Sequence, residues 1–332
     1  MQGNCLAQAG AFTSEVEHNS GAQRDAISRM GMCVWAVENM PVVYKLVECA
    51  QKQQADSRYA NNEKGVTAGI RVISCGFVHM KRVMLVVAYD GTNYCGWQVQ
   101  PNGITIESEL DRCLTDLLHE PVHVTGASRT DAGVHADGNV AVFDTEARMP
   151  AEKFSYALNT RLPADIRIQS SCEVPPDFHP RFCRTVKTYE YRICNRRFPN
   201  PCERLYSLFY YWDLDVDKMQ QAADYLVGTH DFTSFCTKKT DVTDHVRTIY
   251  SLTVTRDGDM ITLRITGNGF LYNMVRIITG TLLRVGGGIL APDAIPAILE
   301  ARDRSQAAET APPHGLRLVR IEYPDGFGGK ED

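Results

Sequence analysis

At Met80 the sequence changes character. Residues 1–79 carry seven basic and seven acidic side chains, Gln/Asn/Ser-rich stretches at 18–24 and 51–62, and no sustained apolar periodicity outside 33–50. Such a segment buries too little apolar surface to promise a stable fold, and its balanced charge gives no electrostatic reason to expect contact with a polyanion. From Val83 the pattern becomes regular: VMLVVAYD at 83–90 reads as a buried strand. A globular body is therefore expected from about Met80. Residues 1–79 are expected to be a dispensable, disordered extension or the product of an upstream start codon chosen in error.

The regular part alternates strand and helix signals. Ile106, Leu110, Cys113, Leu114 and Leu117 share one helical face behind a Thr105 cap. VHVTG at 122–126 and NVAVFD at 139–144 read as strands around a polar loop, and 151–162 as a second helix. Asp215 caps a further helix that Gly228 is placed to stop. TIYSLTVTR and MITLRITG form a hairpin around Asp257-Gly258. Met274, Val275, Ile278 and Leu282 mark a helix ending at Gly286–Gly288, followed by a shorter helix near 293–302 and a last strand, LRLVRIEY. This order predicts an α/β (α+β) protein of two related units, 80–176 and 177–332, with mostly antiparallel sheets facing a central cleft.

Composition narrows the function classes. The longest apolar runs fall far short of the roughly 20 residues that span a bilayer, and no signal peptide opens the chain, which points to the cytoplasm. Eleven cysteines include no CxxC pair, so reduced, mostly buried thiols are expected and no metal site. A net charge of −5 argues against indiscriminate coating of nucleic acid. Any RNA contact must be local, and 176–207 offers it: Arg181, Arg184, Lys187, Arg192, Arg196, Arg197 and Arg204 are interleaved with Tyr189, Tyr191 and Phe198. A charged, solvated strand edge explains that composition equally well.

The loop SRTDAGVHADGN at 128–139 packs an arginine, a carboxylate and a histidine between two strands. On residue chemistry alone an Asx-type turn is the better account of Asp131. A metal site from Asp131, His135 and Asp137 has no supporting cluster. Asp213, Asp215 and Asp217 imitate the start of a calcium loop, but Lys218 stands where glycine is required, so they read as helix-capping acids. Asp90 reads as a brace for the YDG turn.

YDGTNYCGWQVQPNGITIESEL at 89–110 and SRTDAGVHA at 128–136 resemble the two most distinctive stretches of the tRNA pseudouridine synthase A family. DFHPRF at 177–182, KTYEYRI at 187–193, HDFTSF at 230–235, NGFLYNMVRIITG at 268–280 and APPHGLRLVRIEYP at 311–324 follow in the family's order. The resemblance covers 80–332 and none of 1–79. It implies the pseudouridine synthase fold, Asp131 as the essential carboxylate, and Arg129 as the arginine that helps hold the target nucleotide out of its stack. It further implies that Tyr189 packs on the target base, that Arg276 pairs with the aspartate, and that two subunits form a homodimer around tRNA. The implied targets are uridines on the 3′ side of the anticodon stem-loop, roughly positions 38 to 40 in tRNA numbering. Without the resemblance, Arg276 reads as a structural ion-pair residue and Tyr189 as a sheet-packing aromatic.

The chemistry suits these implications. Isomerising uridine breaks the N1–C1′ bond, turns the freed base and joins C5 to C1′, with no atom or electron supplied from outside, so no cofactor is expected. A carboxylate suits a sugar that develops positive character or loses a C2′ proton, and an arginine beside it favours its ionised form. The base must first leave its stack, at a cost of about a few kcal/mol offset by an aromatic platform. Attack at C1′, addition at C6 and removal of the C2′ proton all place the carboxylate alike. A glycosidic hydrolase with Asp90 as second carboxylate and an RNA-binding module without catalysis are the rival classes.

Overall fold

The computed structural model describes residues 80–237 and 243–327. The expectations for residues 1–79, including the periodic stretch at 33–50, lie outside the described residues. Ten strands form one sheet: β1 (Lys81–Tyr89), β2 (Thr125–Gly126), β3 (His135–Thr145), β4 (Ile166–Val174), β5 (Val186–Asn195), β6 (Leu208–Tyr210), β7 (Gly228–Asp231), β8 (Val246–Asp257), β9 (Met260–Gly267) and β10 (Leu316–Glu322). Their order is β4-β1-β3-β10-β5-β9-β8-β7, with β2 on β3 and β6 on β5. The mixed α/β class and the mostly antiparallel pairing are as the sequence predicts.

The two sets of strands are continuous, and β10 is the reason. It pairs antiparallel with β5 and, through Arg317↔His135 and Leu318↔Ala136, parallel with β3. Leu316 and Leu318 are buried, so one short strand from the end of the chain welds the 80–176 strands to the 177–332 strands. This also places KTYEYRI at the centre of the sheet, not at a solvated edge, because β5 is paired with both β10 and β9.

Among the described residues five α-helices accompany the sheet: α1 (Ile106–Leu118), α2 (Phe154–Asn159), α3 (Val216–Asp224), α4 (Met274–Gly286) and α5 (Ile295–Ala301). In α1 the Thr105 hydroxyl accepts from Ser108 N at 3.2 Å while the Ser108 hydroxyl returns a bond to the cap, and Ile106, Leu110, Cys113 and Leu114 are buried. Asp215 Oδ1 accepts from Lys218 N at 3.0 Å at the start of α3. Helix α4 buries eleven of its thirteen residues, so it is held by packing on nearly every side.

Three local readings need correction. Only Thr125 and Gly126 of the 122–126 run pair, with Val142 and Ala141, because Val122 N and Val124 N bond to side chains of α1, Thr115 Oγ1 and Asp111 Oδ1. The 151–162 helix is split into a 3₁₀ turn, Ala151–Lys153, and the short α2. Gly228 does not cap α3, which ends at Tyr225 in a right-handed conformation. Instead Gly228, with φ +115°, opens β7.

Candidate active site

The 128–134 loop is held from below by two close backbone approaches. Gly91 and Gly96 lie so near it that an added Cβ would sit 2.0 Å from the Val134 carbonyl oxygen and 2.7 Å from that of Thr130. Trp97 N donates to Thr130 O at 3.0 Å, Gly91 N to His135 Nδ1 at 3.1 Å, and Val134 N to Asp131 O at 3.1 Å. His135 Nε2 lies 3.0 Å from Leu205 O and its Nδ1 also lies 3.1 Å from Asp90 Oδ1, so both ring nitrogens are held in place. Asp90 braces the same turn, accepting from Thr92 N at 3.0 Å and from Tyr206 Oη at 2.7 Å. Thr130 Oγ1 pairs with Tyr89 Oη at 2.7 Å, and Asn139 Nδ2 donates to Ser128 O at 2.9 Å.

Asp131 is thus presented by rigid neighbours to a cleft of about 860 Å³. Its Oδ2 accepts from Arg276 Nη1 at 2.8 Å, and its carboxylate takes no backbone N–H from the described residues, which disposes of the Asx-turn reading. No other described residue engages Oδ1. Arg276 leaves the first turn of α4 and is itself fixed: Nε donates to Ala311 O at 2.7 Å and Nη1 to Asn273 Oδ1 at 2.9 Å. Asn273 precedes the helix with φ +62°, a left-handed conformation that asparagine tolerates better than most residues. The guanidinium therefore holds the carboxylate through one oxygen and leaves the other without a partner among the described residues.

Tyr189 borders the same cleft from β5. Its hydroxyl shares a 2.9 Å hydrogen bond with Ser128 Oγ, and its ring meets Phe270 edge-on at 5.2 Å. Burial pushes the phenol up to about 12, so the hydroxyl stays neutral through the physiological range. Arg129 is exposed at the rim and makes no hydrogen bond or ion pair with a described residue. Along the cleft Arg129, Arg181, Lys187, Arg247 and Arg276 face only Asp131 and Asp244. In a chain of net charge −5, that concentration of cations marks a site for a polyanion.

A family model described as tRNA pseudouridine synthase matches residues 85–183 and 222–324. The chain belongs to this family. Two curated relatives named tRNA pseudouridine synthase A are similar to this synthase over their full length: one from Thermoanaerobacter sp. (strain X514), 46% identical over 244 residues, and one from Brevibacillus brevis, 48% identical over 244 residues. Each alignment covers 74% of this chain and 100% of the relative. Among solved structures, the synthase is similar to one described as an H/ACA RNP bound to a substrate RNA containing 2′-deoxyuridine, at a TM-score of 0.31 and 15% identity, covering 74% of this chain and 49% of that one. The reaction is the isomerisation of uridine to pseudouridine in tRNA.

All four residues singled out in the sequence, Arg129, Asp131, Tyr189 and Arg276, line one cleft of the synthase. The other proposed carboxylate, Asp90, borders a separate cavity of about 350 Å³ together with Asp137 and His135, and that cavity does not include Asp131. Sequence reasoning missed Ser128, Asn273 and Phe270. For Asn273 a signal was present: an asparagine immediately before an apolar helix, where a left-handed residue or a cap is wanted. For Ser128 and Phe270 there was none, because their roles arise from contacts with Tyr189 across the sheet.

Proposed function

We propose that the synthase modifies uridines on the 3′ side of the anticodon stem-loop, roughly positions 38 to 40 in tRNA numbering, with Asp131 as its essential carboxylate. In this reading Arg276 orients Asp131, Tyr189 packs on the flipped base, and Arg129 holds the nucleotide out of its stack. The observation that carries it is the half-engaged carboxylate: Asp131 is locked through Oδ2 while no other described residue takes Oδ1. A group so placed can approach the sugar or ring of a bound nucleotide without first breaking its ion pair. The halves 80–176 and 177–332 act as one catalytic body, the first supplying Arg129 and Asp131 and the second Tyr189 and Arg276. The hydrolase alternative loses support because Asp90 is engaged by Thr92 and Tyr206. Pseudouridine mapping of tRNA from cells with and without the chain tests the target. Loss at the 3′ side of the anticodon stem-loop is expected, and loss confined to another arm would defeat the assignment.

The working unit in this reading is a cytoplasmic homodimer, with the 176–207 surface contributing to a composite cleft on which one tRNA touches both subunits. Within that segment Arg181 and Lys187 border the cleft, whereas Arg184, Arg192 and Arg196 are engaged by Asp325, Glu203 and Asp259. The first pair is therefore available to phosphate and the other three less so. Sedimentation of the active protein should give twice the chain mass, and a fully active monomer at working concentration would refute the dimer.

A further inference from the structure

Lys187 stands two residues before Tyr189 on β5, so both side chains issue from the same face of the strand and border the same cleft. Strand geometry separates their Cα atoms by about 7 Å, the order of distance between a pyrimidine ring and the phosphate of its own or the next nucleotide. Lys187 Nζ donates to Ala127 O at 3.1 Å and lies 3.5 Å from Ser128 Oγ. An ammonium has three N–H groups, so at least one has no acceptor among the described residues. No carboxylate of a described residue pairs with it. The charged neighbour is instead Arg181, whose guanidinium also lines the cleft. Burial, with Arg181 adding, pulls the lysine down to about 8.

A half-buried cation beside another cation, without a counter-ion, is a cost to the free protein. The synthase's substrate is a polyanion, and the missing partner is the chemistry it brings. We propose that Lys187 is the seat of one RNA backbone phosphate, next to the uridine whose base lies against Tyr189. This rests on the assignment of Tyr189 made above. A phosphate fits better than a carbonyl of the base: a neutral acceptor would leave the charge uncompensated, whereas an oxyanion satisfies both the free N–H and the charge. The compact ammonium suits a single oxygen and leaves the planar Arg181 fork to wider phosphate contacts.

The test compares the full-length protein with Lys187→Met and Lys187→Arg. Each is measured for tRNA affinity across a salt series, for kcat and KM, and against anticodon arms carrying a single neutral methylphosphonate moved one position at a time. Lys187→Met should weaken tRNA binding roughly 10- to 100-fold, as loss of a charged hydrogen bond implies, with kcat within about threefold. Its log–log salt slope should be shallower by roughly 0.7 to 0.9, the loss of one phosphate contact. Lys187→Arg should recover most of the affinity. One methylphosphonate position should weaken wild type strongly and Lys187→Met hardly at all. An unchanged salt slope, or a loss in kcat with equal sensitivity to every methylphosphonate, would overturn the proposal and leave Lys187 as a brace for Ala127. If Lys187→Met fails to fold, the wild-type scan still decides, since no sensitive position means no seat. The readout is affinity, so it stands apart from the role given to Asp131; a wild-type chain that does not bind tRNA sinks both.

Discussion

Replacing Asp131 with asparagine should lower pseudouridine formation by roughly 10⁴-fold or more, while tRNA affinity stays within a few-fold of wild type. The amide keeps the shape of the carboxylate and one carbonyl oxygen, and that oxygen can take the place of Oδ2 against Arg276 Nη1. The amide nitrogen then stands where Oδ1 was, and a neutral donor can neither attack C1′, add to C6 nor take the C2′ proton. All three routes are closed by one substitution, so the expectation does not depend on which is used. The fold should survive. Arg276 retains Ala311 O and Asn273 Oδ1 as acceptors, and the ion pair is partly solvated, with side-chain exposures of 14% for Arg276 and 26% for Asp131. A destabilisation of about 1–3 kcal/mol is expected, less than for a fully buried pair. Quantifying pseudouridine in tRNA after incubation, with a melting curve on the same preparation, checks both halves. Activity within tenfold of wild type would remove Asp131 from the chemistry.

Much of this architecture could be read in the chain because its signals are local. Thr105, Asp215 and the Asp257-Gly258 turn each act within four residues of themselves, and each stands where the sequence placed it. The carboxylate loop was legible for a different reason, a motif resemblance. Residue chemistry alone favoured an Asx turn, whereas the partner that the carboxylate takes in place of a backbone N–H, Arg276, lies 145 residues away. The merging of two sheets through β10 was not legible, since two parallel register pairs leave no periodic trace. Nor was the central place of KTYEYRI: with Lys187, Glu190 and Arg192 charged among seven residues, the strand reads as well for an edge. Here Glu190 is accounted for by Arg264 and Arg317 from the two flanking strands. The split of 151–162 follows the same rule, a helical pattern shortened by tertiary packing that outweighs propensity.

The second large effect is expected at a residue that touches no substrate. Gly91→Ala should cut kcat by roughly 10²-fold while affecting tRNA affinity less. A Cβ on Gly91 would meet the Val134 carbonyl oxygen at 2.0 Å and its carbon at 2.7 Å. Both are backbone atoms, so no rotamer change can relieve the clash, and relief requires the turn to move by about an ångström or more. That turn is closed by Val134 N donating to Asp131 O, so the displacement is delivered to the carboxylate, and the Gly91–His135 bond at 3.1 Å is strained with it. Arg129, Arg181 and Lys187 lie outside the clash and continue to attract RNA. The variant should therefore bind tRNA and convert it slowly, melting several degrees lower. Gly258→Ala is the contrasting case. Gly258 has φ +55° and nothing within 4 Å of an added Cβ, so the substitution costs about 1 kcal/mol of backbone strain at a hairpin tip and should leave kcat unchanged. If Gly91→Ala and Gly258→Ala lose stability alike and both keep full kcat, the YDG turn is not what sets the position of Asp131.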